Sequence, residues 1–317
     1  MTRIVFLDRG TIGPSVDLVR PAADHALEIF EQSEASDVVA RLRGAKVAIT
    51  NKVPIRREHI EQLPDLEFIT VAATGYDVID IDAARERGIT VSNVRGYAVN
   101  TVPEHTMALI LALKRALPGY RQSVLDGDWQ RSGQFCYFSY PVHDLAGATL
   151  GIIGEGSIGQ SVARLAQAFG MTTLFAAHKG VEGLGPLYTP FAEMLERADV
   201  ITLHAPLTPA TRDTLAMPEF RAMKRRPIII NTARGGLVNE ADAAAALEQG
   251  LISGLGFDVL TEEPPADDNP LMRIASRPDV ILTPHTAWAS REAMQGLWQQ
   301  VVESIDAYLA GSPVRVL

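Results

Sequence analysis

The sequence predicts an α/β protein made of two doubly wound parallel-sheet domains, a Rossmann-type cofactor domain and a smaller flavodoxin-like domain, with a cleft between them. Three observations predict it. Short apolar runs alternate with helix-like stretches from end to end. One such run, residues 149–153, leads directly into the glycine turn Gly154-Glu155-Gly156-Ser157-Ile158-Gly159. The chain has 317 residues, long for one domain and comfortable for two.

In the first series the expected strands are residues 4–7, 47–50, 68–71 and 90–92, with helix-like segments at 36–42 and 80–87. A long helix is expected to start near Pro103, because proline suits a first helical turn and Glu104 suits the positive dipole end. It should run to about Leu117 and stop at Pro118-Gly119. A second series begins at Gly147, with strands at 149–153, 172–176, 200–203, 228–231, 254–258 and 280–282, enough for a six-stranded dinucleotide domain. A helix over 160–169 follows the glycine turn. Asn239 can cap another over 241–247, ended by Gly250. A last helix spans about 290–309 and precedes Gly311-Ser312-Pro313. It has no strands of its own, so it is expected to return to the first domain. The expected division is 1–99 with 289–317 as the substrate domain, and 100–288 as the dinucleotide domain.

Composition narrows the function. Hydrophobic residues make up 47 %, enough for large cores, and the net charge is -9 from 38 acidic and 29 basic residues. That balance disfavours nucleic acid or an anionic membrane as partner. The one cysteine, Cys136, excludes an intrachain disulfide and points to a reducing, cytoplasmic setting. It is expected to be a small packed residue and not a nucleophile. The apolar N-terminal run is too short for a signal peptide, and the most apolar helix is interrupted by Lys114 and Arg115.

The chemistry is expected at the carboxyl ends of the second series of strands, where doubly wound sheets bind ligands. Gly154 permits a tight turn, Gly156 lets the backbone approach a pyrophosphate, and Gly159 lets the helix pack close to its strand. Arg234 follows strand 228–231 in Asn231-Thr232-Ala233-Arg234-Gly235-Gly236, Glu263 follows strand 254–258, and His285 follows strand 280–282 in Thr283-Pro284-His285. Taken singly, these would pass for a surface arginine, a solvated acid and a loop histidine. Together they suit hydride transfer to a 2-keto acid. An arginine can bind the carboxylate with two parallel hydrogen bonds. A protonated histidine can deliver a proton to the carbonyl oxygen, and a neighbouring carboxylate would fix its tautomer.

On these segments the chain is identified by resemblance as a member of the D-isomer-specific 2-hydroxyacid dehydrogenases, from Leu7-Asp8-Arg9-Gly10-Thr11 to the Trp288 region. Segments 50–53, 72–77 and 93–97 resemble its hydroxypyruvate reductase (glycerate dehydrogenase) branch. The resemblance implies Arg234, Glu263 and His285 as the catalytic set. It implies cofactor contacts at Gly154, Gly156, Ser157, Ile158, Gly159, His204, Ala205, Pro206, Thr211, Thr232, Ala233, Arg234, Asp258, His285 and Ala287, with Thr106 and Val102 lining the nicotinamide pocket unless they simply pack their helix. It implies substrate contacts at Asn51, Ala73, Thr74, Gly75 and Trp288, and a homodimer formed through the cofactor domain. Trp288, Phe135 and Tyr140 could equally be core or dimer packing. The expected activity is reduction of a small 2-keto acid such as hydroxypyruvate or glyoxylate. Phosphonate or formate dehydrogenases and a non-catalytic dinucleotide sensor are the rivals, and Glu263 speaks against the formate type.

One departure bears on the cofactor. NAD-specific sites place an acid at the end of the second strand to hold the ribose 2′-OH. Here that position reads Ala177, followed by His178 and Lys179, which suit a 2′-phosphate. The expectation is NADP(H) preferred, or dual use of NADP(H) and NAD(H).

Overall fold

A computed structural model describes the whole chain, Met1–Leu317. It comprises two compact units, Met1–Ala98 with Ala289–Leu317, and Val99–Trp288.

The first unit holds a parallel sheet of β1 (Thr2–Phe6), β2 (His25–Ile29), β3 (Val47–Thr50), β4 (Phe68–Val71) and β5 (Thr90–Asn93), in the order β2-β1-β3-β4-β5. This is the flavodoxin-like order, with its topological switch between β1 and β3. β3 and β4 are buried on both faces, which is why they read as plain apolar runs. β2 was not expected. It lies at the sheet edge, none of its residues is fully buried, and so His25-Ala26-Leu27-Glu28-Ile29 shows little pattern. The helix Arg291–Leu309 is capped by the Ser290 hydroxyl, which accepts from the Ala293 N–H at 3.1 Å. Its fully buried Trp298 stacks on Phe6 with 5.4 Å between ring centroids, and Tyr308 stacks on Phe68 at 4.4 Å. Beyond it, Val316 bridges Ser92 antiparallel and the Leu317 N–H donates to Val91 O, so the chain end lies along β5.

The second unit holds a parallel sheet of β6 (Thr149–Ile153), β7 (Thr172–Ala176), β8 (Tyr188–Thr189), β9 (Val200–Leu203), β10 (Ile228–Asn231), β11 (Gly254–Phe257) and β12 (Val280–Leu282). The order is β12-β11-β10-β9-β6-β7-β8, so the sheet has seven strands and not six. The extra strand, β8, is two residues long, too short for any periodicity to reveal. The order reverses between β6 and β9, and the switch point lies at their carboxyl ends. Apolar cores cover both faces. One is centred on Ile201, Leu203, Ile229, Leu255 and Phe257, the other on Leu150, Ile152, Ile230 and the helices Thr101–Lys114 and Ser157–Ala168.

The long helix ends earlier than its sequence suggests. It stops at Lys114, the chain breaks at Ala116 in the left-handed region (φ 50°), and Pro118 sits in the first turn of a new helix, Leu117–Leu125. Pro118 therefore opens a helix where a terminator was expected, a position where its missing N–H costs nothing. No helix is long and apolar enough to cross a membrane.

Candidate active site

The glycine turn joins β6 to the helix Ser157–Ala168 across the switch point. Gly154 has φ 111°, and a Cβ there would fall 2.6 Å from the His204 backbone at the end of β9. The two strand ends are thus in backbone contact. A Cβ on Gly159 would fall 2.1 Å from Gly154 O, so the helix start lies against the turn. Gly156 faces open space and caps the helix with no side-chain hydrogen bond. The first-turn N–H groups of Ser157 and Ile158 have no intrahelical acceptor and suit an anion.

At the end of β9, His204 Nε2 lies 2.9 Å from the Thr202 hydroxyl, while its Nδ1 is buried with no partner. Burial pushes its pKa down to about 3, so the imidazole is neutral at ordinary pH. An unpartnered buried nitrogen beside the glycine cradle fits a site built for a polar ligand. Ala205 and Pro206 follow it, and the Thr211 hydroxyl closes this loop by donating to Pro206 O at 2.7 Å.

β10 ends in a turn held by Asn231, whose side chain donates to Arg234 O at 2.9 Å and accepts from the Ala233 N–H at 3.1 Å. The Thr232 hydroxyl lies 2.9 Å from that of the fully buried Thr106, which pins the turn to the long helix. Arg234 is exposed, with its guanidinium donating to Ala233 O at 2.7 Å. Gly235 packs directly on the loop after β11: a Cβ there would fall 1.9 Å from Leu260 O.

That loop delivers Glu263, which precedes a cis peptide bond to Pro264. One carboxylate oxygen accepts from the Leu260 N–H at 2.9 Å, and the other lies 2.6 Å from His285 Nδ1. His285 itself sits in the left-handed region (φ 55°), its N–H donating to Asp258 O at 2.8 Å. The Asp258 carboxylate, 2 % exposed, accepts from the Thr283 hydroxyl at 2.5 Å and from the Thr286 and Ala287 N–H groups at 2.9 and 2.8 Å. Asp258 therefore holds the His285 loop in shape. Ala287 is part of the same clamp, its carbonyl accepting from the Thr101 hydroxyl at 3.0 Å. The Glu263–His285 pair lines a cavity of about 410 Å³ with Leu260, Pro264, Met272 and Leu282.

At the end of β7 the side chains of Lys179 and His178 each face a carboxylate. Lys179 Nζ is 2.9 Å from a Glu219 carboxylate oxygen, and His178 Nε2 is 3.7 Å from a Glu155 carboxylate oxygen. Neither pairing was anticipated from sequence, because Glu155 belongs to the glycine turn and Glu219 to the helix Met217–Ala222.

In the first unit, the buried Asp8 lies just beyond β1 and accepts from the N–H groups of Asn51 (2.9 Å), Lys52 (2.6 Å) and Val53 (3.2 Å) after β3. Burial pushes its carboxyl up, while these donors pull it down. Asn93 donates to Thr74 O at 2.7 Å, and the Thr74 hydroxyl donates to Val94 O at 2.9 Å, which shapes the turn of Ala73, Thr74 and Gly75. In the sequence Asp8 and Asn93 stand inside family-like segments but carry no assigned role. The available signal was a polar residue at the end of a buried strand. Trp288, which closes the second unit, is partly buried.

The sheet orders and the glycine cradle define a nucleotide-binding doubly wound protein with a histidine–carboxylate pair at its ligand rim. Comparison with known proteins makes this specific. Residues 107–287 match the family model described as D-isomer specific 2-hydroxyacid dehydrogenase, NAD binding domain. The chain is 49 % identical over 316 residues to a glycerate dehydrogenase of Methylorubrum extorquens, covering 99 % of this chain and 98 % of that one. It is 36 % identical over 322 residues to a hydroxypyruvate reductase of Blautia hydrogenotrophica, covering 99 % of each. Its fold superposes with TM-score 0.84 and 29 % identity on an NADPH-dependent glyoxylate/hydroxypyruvate reductase from Sinorhizobium meliloti, covering 100 % of this chain and 98 % of that one. The chain belongs to the D-isomer-specific 2-hydroxyacid dehydrogenase family. It is an NAD(P)-binding oxidoreductase acting on a CH–OH group.

Proposed function

We propose that the protein reduces hydroxypyruvate to D-glycerate, or glyoxylate to the achiral 2-hydroxy acid glycolate. The observation that carries this reading is the 2.6 Å contact between Glu263 and His285 Nδ1 at the carboxyl end of the sheet that also bears the glycine cradle. When bound, the reduced nicotinamide supplies the hydride that adds to the keto carbon. His285 gives its Nε2 proton to the carbonyl oxygen as negative charge builds there. Glu263 holds the ring through Nδ1, so that Nε2 faces the substrate, and stabilises the imidazolium. Arg234, exposed at the rim, binds the substrate carboxylate. Asn51 and the backbone N–H groups of Ala73, Thr74 and Gly75 are proposed as further carboxylate contacts.

The cradle of Gly154, Gly156, Ser157, Ile158 and Gly159 is proposed to hold the pyrophosphate, with His204 offering its buried Nδ1. We propose dual use of NADPH and NADH. Lys179 and His178 favour a 2′-phosphate, but a carboxylate faces each of them. The S. meliloti relative is described as NADPH-dependent. Exposed Leu125, Trp129, Phe135 and Phe138 on the second unit support a homodimer formed through it. The single Cys136 supports a reducing, cytoplasmic setting.

The test is loss of absorbance at 340 nm with hydroxypyruvate and each reduced dinucleotide. Turnover with hydroxypyruvate supports the reading, and its absence with all small keto acids removes it. His285→Ala should lower kcat by about 10²–10⁴-fold while leaving dinucleotide affinity nearly unchanged.

A further inference from the structure

The end of β7 has no carboxylate of its own, since Ala177 stands there, buried, where an acid would hold the adenosine ribose. The structure nevertheless brings one to this place. Glu155, between the first two glycines of the cradle, reaches across to β7, and its carboxylate lies 3.7 Å from His178 Nε2. Its charge also acts on the Tyr188 hydroxyl of β8, whose pKa is raised first by burial and then by Glu155. The Tyr188 and His178 rings meet edge to face, 6.1 Å apart. Glu155, His178 and Tyr188 thus form one cluster over the carboxyl ends of β6, β7 and β8. Lys179 leaves this cluster to pair with Glu219 at 2.9 Å and lies 3.4 Å from Thr214 O.

We propose that Glu155 is the residue that reads the 2′ position of the adenosine ribose and sets the balance between NADH and NADPH. This rests on the dinucleotide cradle and not on which keto acid is reduced. Its backbone lies in the cradle that would hold the pyrophosphate, so its side chain is within reach of the neighbouring ribose. The carboxylate accepts a hydrogen bond from a 2′-OH and repels a 2′-phosphate. Its partners determine how strongly. His178 and Tyr188 orient the carboxylate, and Glu219 keeps Lys179 from offsetting it. An acid in the glycine turn therefore replaces the missing acid at the strand end.

The test measures dissociation constants of NADH and NADPH by fluorescence titration, with no keto acid present. Glu155→Gln keeps the side-chain shape and removes the charge. The ratio of the two constants should shift towards NADPH by about tenfold, the scale of repulsion between a phosphate dianion and a carboxylate about 6 Å apart in water-like surroundings. Glu155→Asp keeps the charge and should keep the parental preference. An unchanged ratio in Glu155→Gln overturns the proposal, and so does a shift in Glu155→Asp as large as that in Glu155→Gln. Equal weakening of both dinucleotides in Glu155→Gln would mark a purely structural role and also overturn it. Failure of the parent protein to bind either dinucleotide would instead remove the cofactor reading, and the proposal with it.

Discussion

Replacing Glu263 by glutamine is the most direct test of the proposed catalytic pair, Glu263 and His285. The substitution keeps the side-chain length and leaves an amide oxygen free to accept from the Leu260 N–H, so the loop should hold its shape. What disappears is the negative charge 2.6 Å from His285 Nδ1. A hydrogen bond to a charged group contributes roughly 1.5–3 kcal/mol, against about 1 kcal/mol for a neutral one. The two side chains are 29 % and 36 % exposed, so water screens part of the difference and the lower half of that range applies. The difference of about 0.5–1.3 kcal/mol lost in the transition state corresponds to roughly 2–9-fold in kcat. The assay is steady-state reduction of hydroxypyruvate at saturating dinucleotide, run also on His285→Ala and on the double variant. A carboxylate that acts only through His285 has nothing left to do in the His285→Ala background, so there the second substitution should change little. A Glu263→Gln enzyme with parental kcat refutes the reasoning. An undiminished effect of Glu263→Gln in the absence of His285 would do the same, by giving the carboxylate some independent task.

Three further outcomes follow from the geometry. Gly159→Ala places a methyl group 2.1 Å from Gly154 O. It should cost about 1–3 kcal/mol, lower the melting temperature by several degrees and weaken dinucleotide binding measured by titration; a parental melting curve would contradict the close packing. Asp258→Asn leaves the clamp one acceptor short, with the buried Ala287 N–H unpaired at a cost of about 1–3 kcal/mol. Denaturant titration should show that loss together with a fall in kcat, and stability equal to the parent would remove Asp258 from its role. His204 is held neutral in the folded protein, with a pKa of about 3 against 6.5 when free. The unfolded chain thus binds the extra proton between those values. This contribution is complete above about pH 6.5 and shrinks as pH falls towards 3, by at most about 3 kcal/mol at pH 4.5. His204→Gln should flatten that part of a stability–pH profile measured by urea unfolding, and parallel profiles would refute it.

Much of this molecule is written locally in its sequence. Ile228-Ile229-Ile230-Asn231 is buried on both faces, and so a plain apolar run marks it as an interior strand. The Glu263–His285 contact could be anticipated because both residues follow strands that end on one rim. What sequence hides is pairing at a distance. Asp258 fits a cofactor position by resemblance, yet its carboxylate is occupied by donors 25, 28 and 29 residues away, and no periodicity encodes that. Lys179 reads as a free cation beside His178, and only the fold brings Glu219 to it. The edge strand β2 and the two-residue β8 escape for the opposite reason: partial burial leaves too faint an apolar pattern. Pro118 misleads because proline closes one helix and opens another with equal ease.

Gly235 has a consequence for redesign. Its backbone lies so close to Leu260 O that no side chain fits between the arginine loop and the acid loop. Arg234 and Glu263 therefore travel as one piece, and displacing one loop from the other would require moving two strand ends together. Any substitution at Gly235 would thus disturb both loops at once, so this joint is best left alone in redesign.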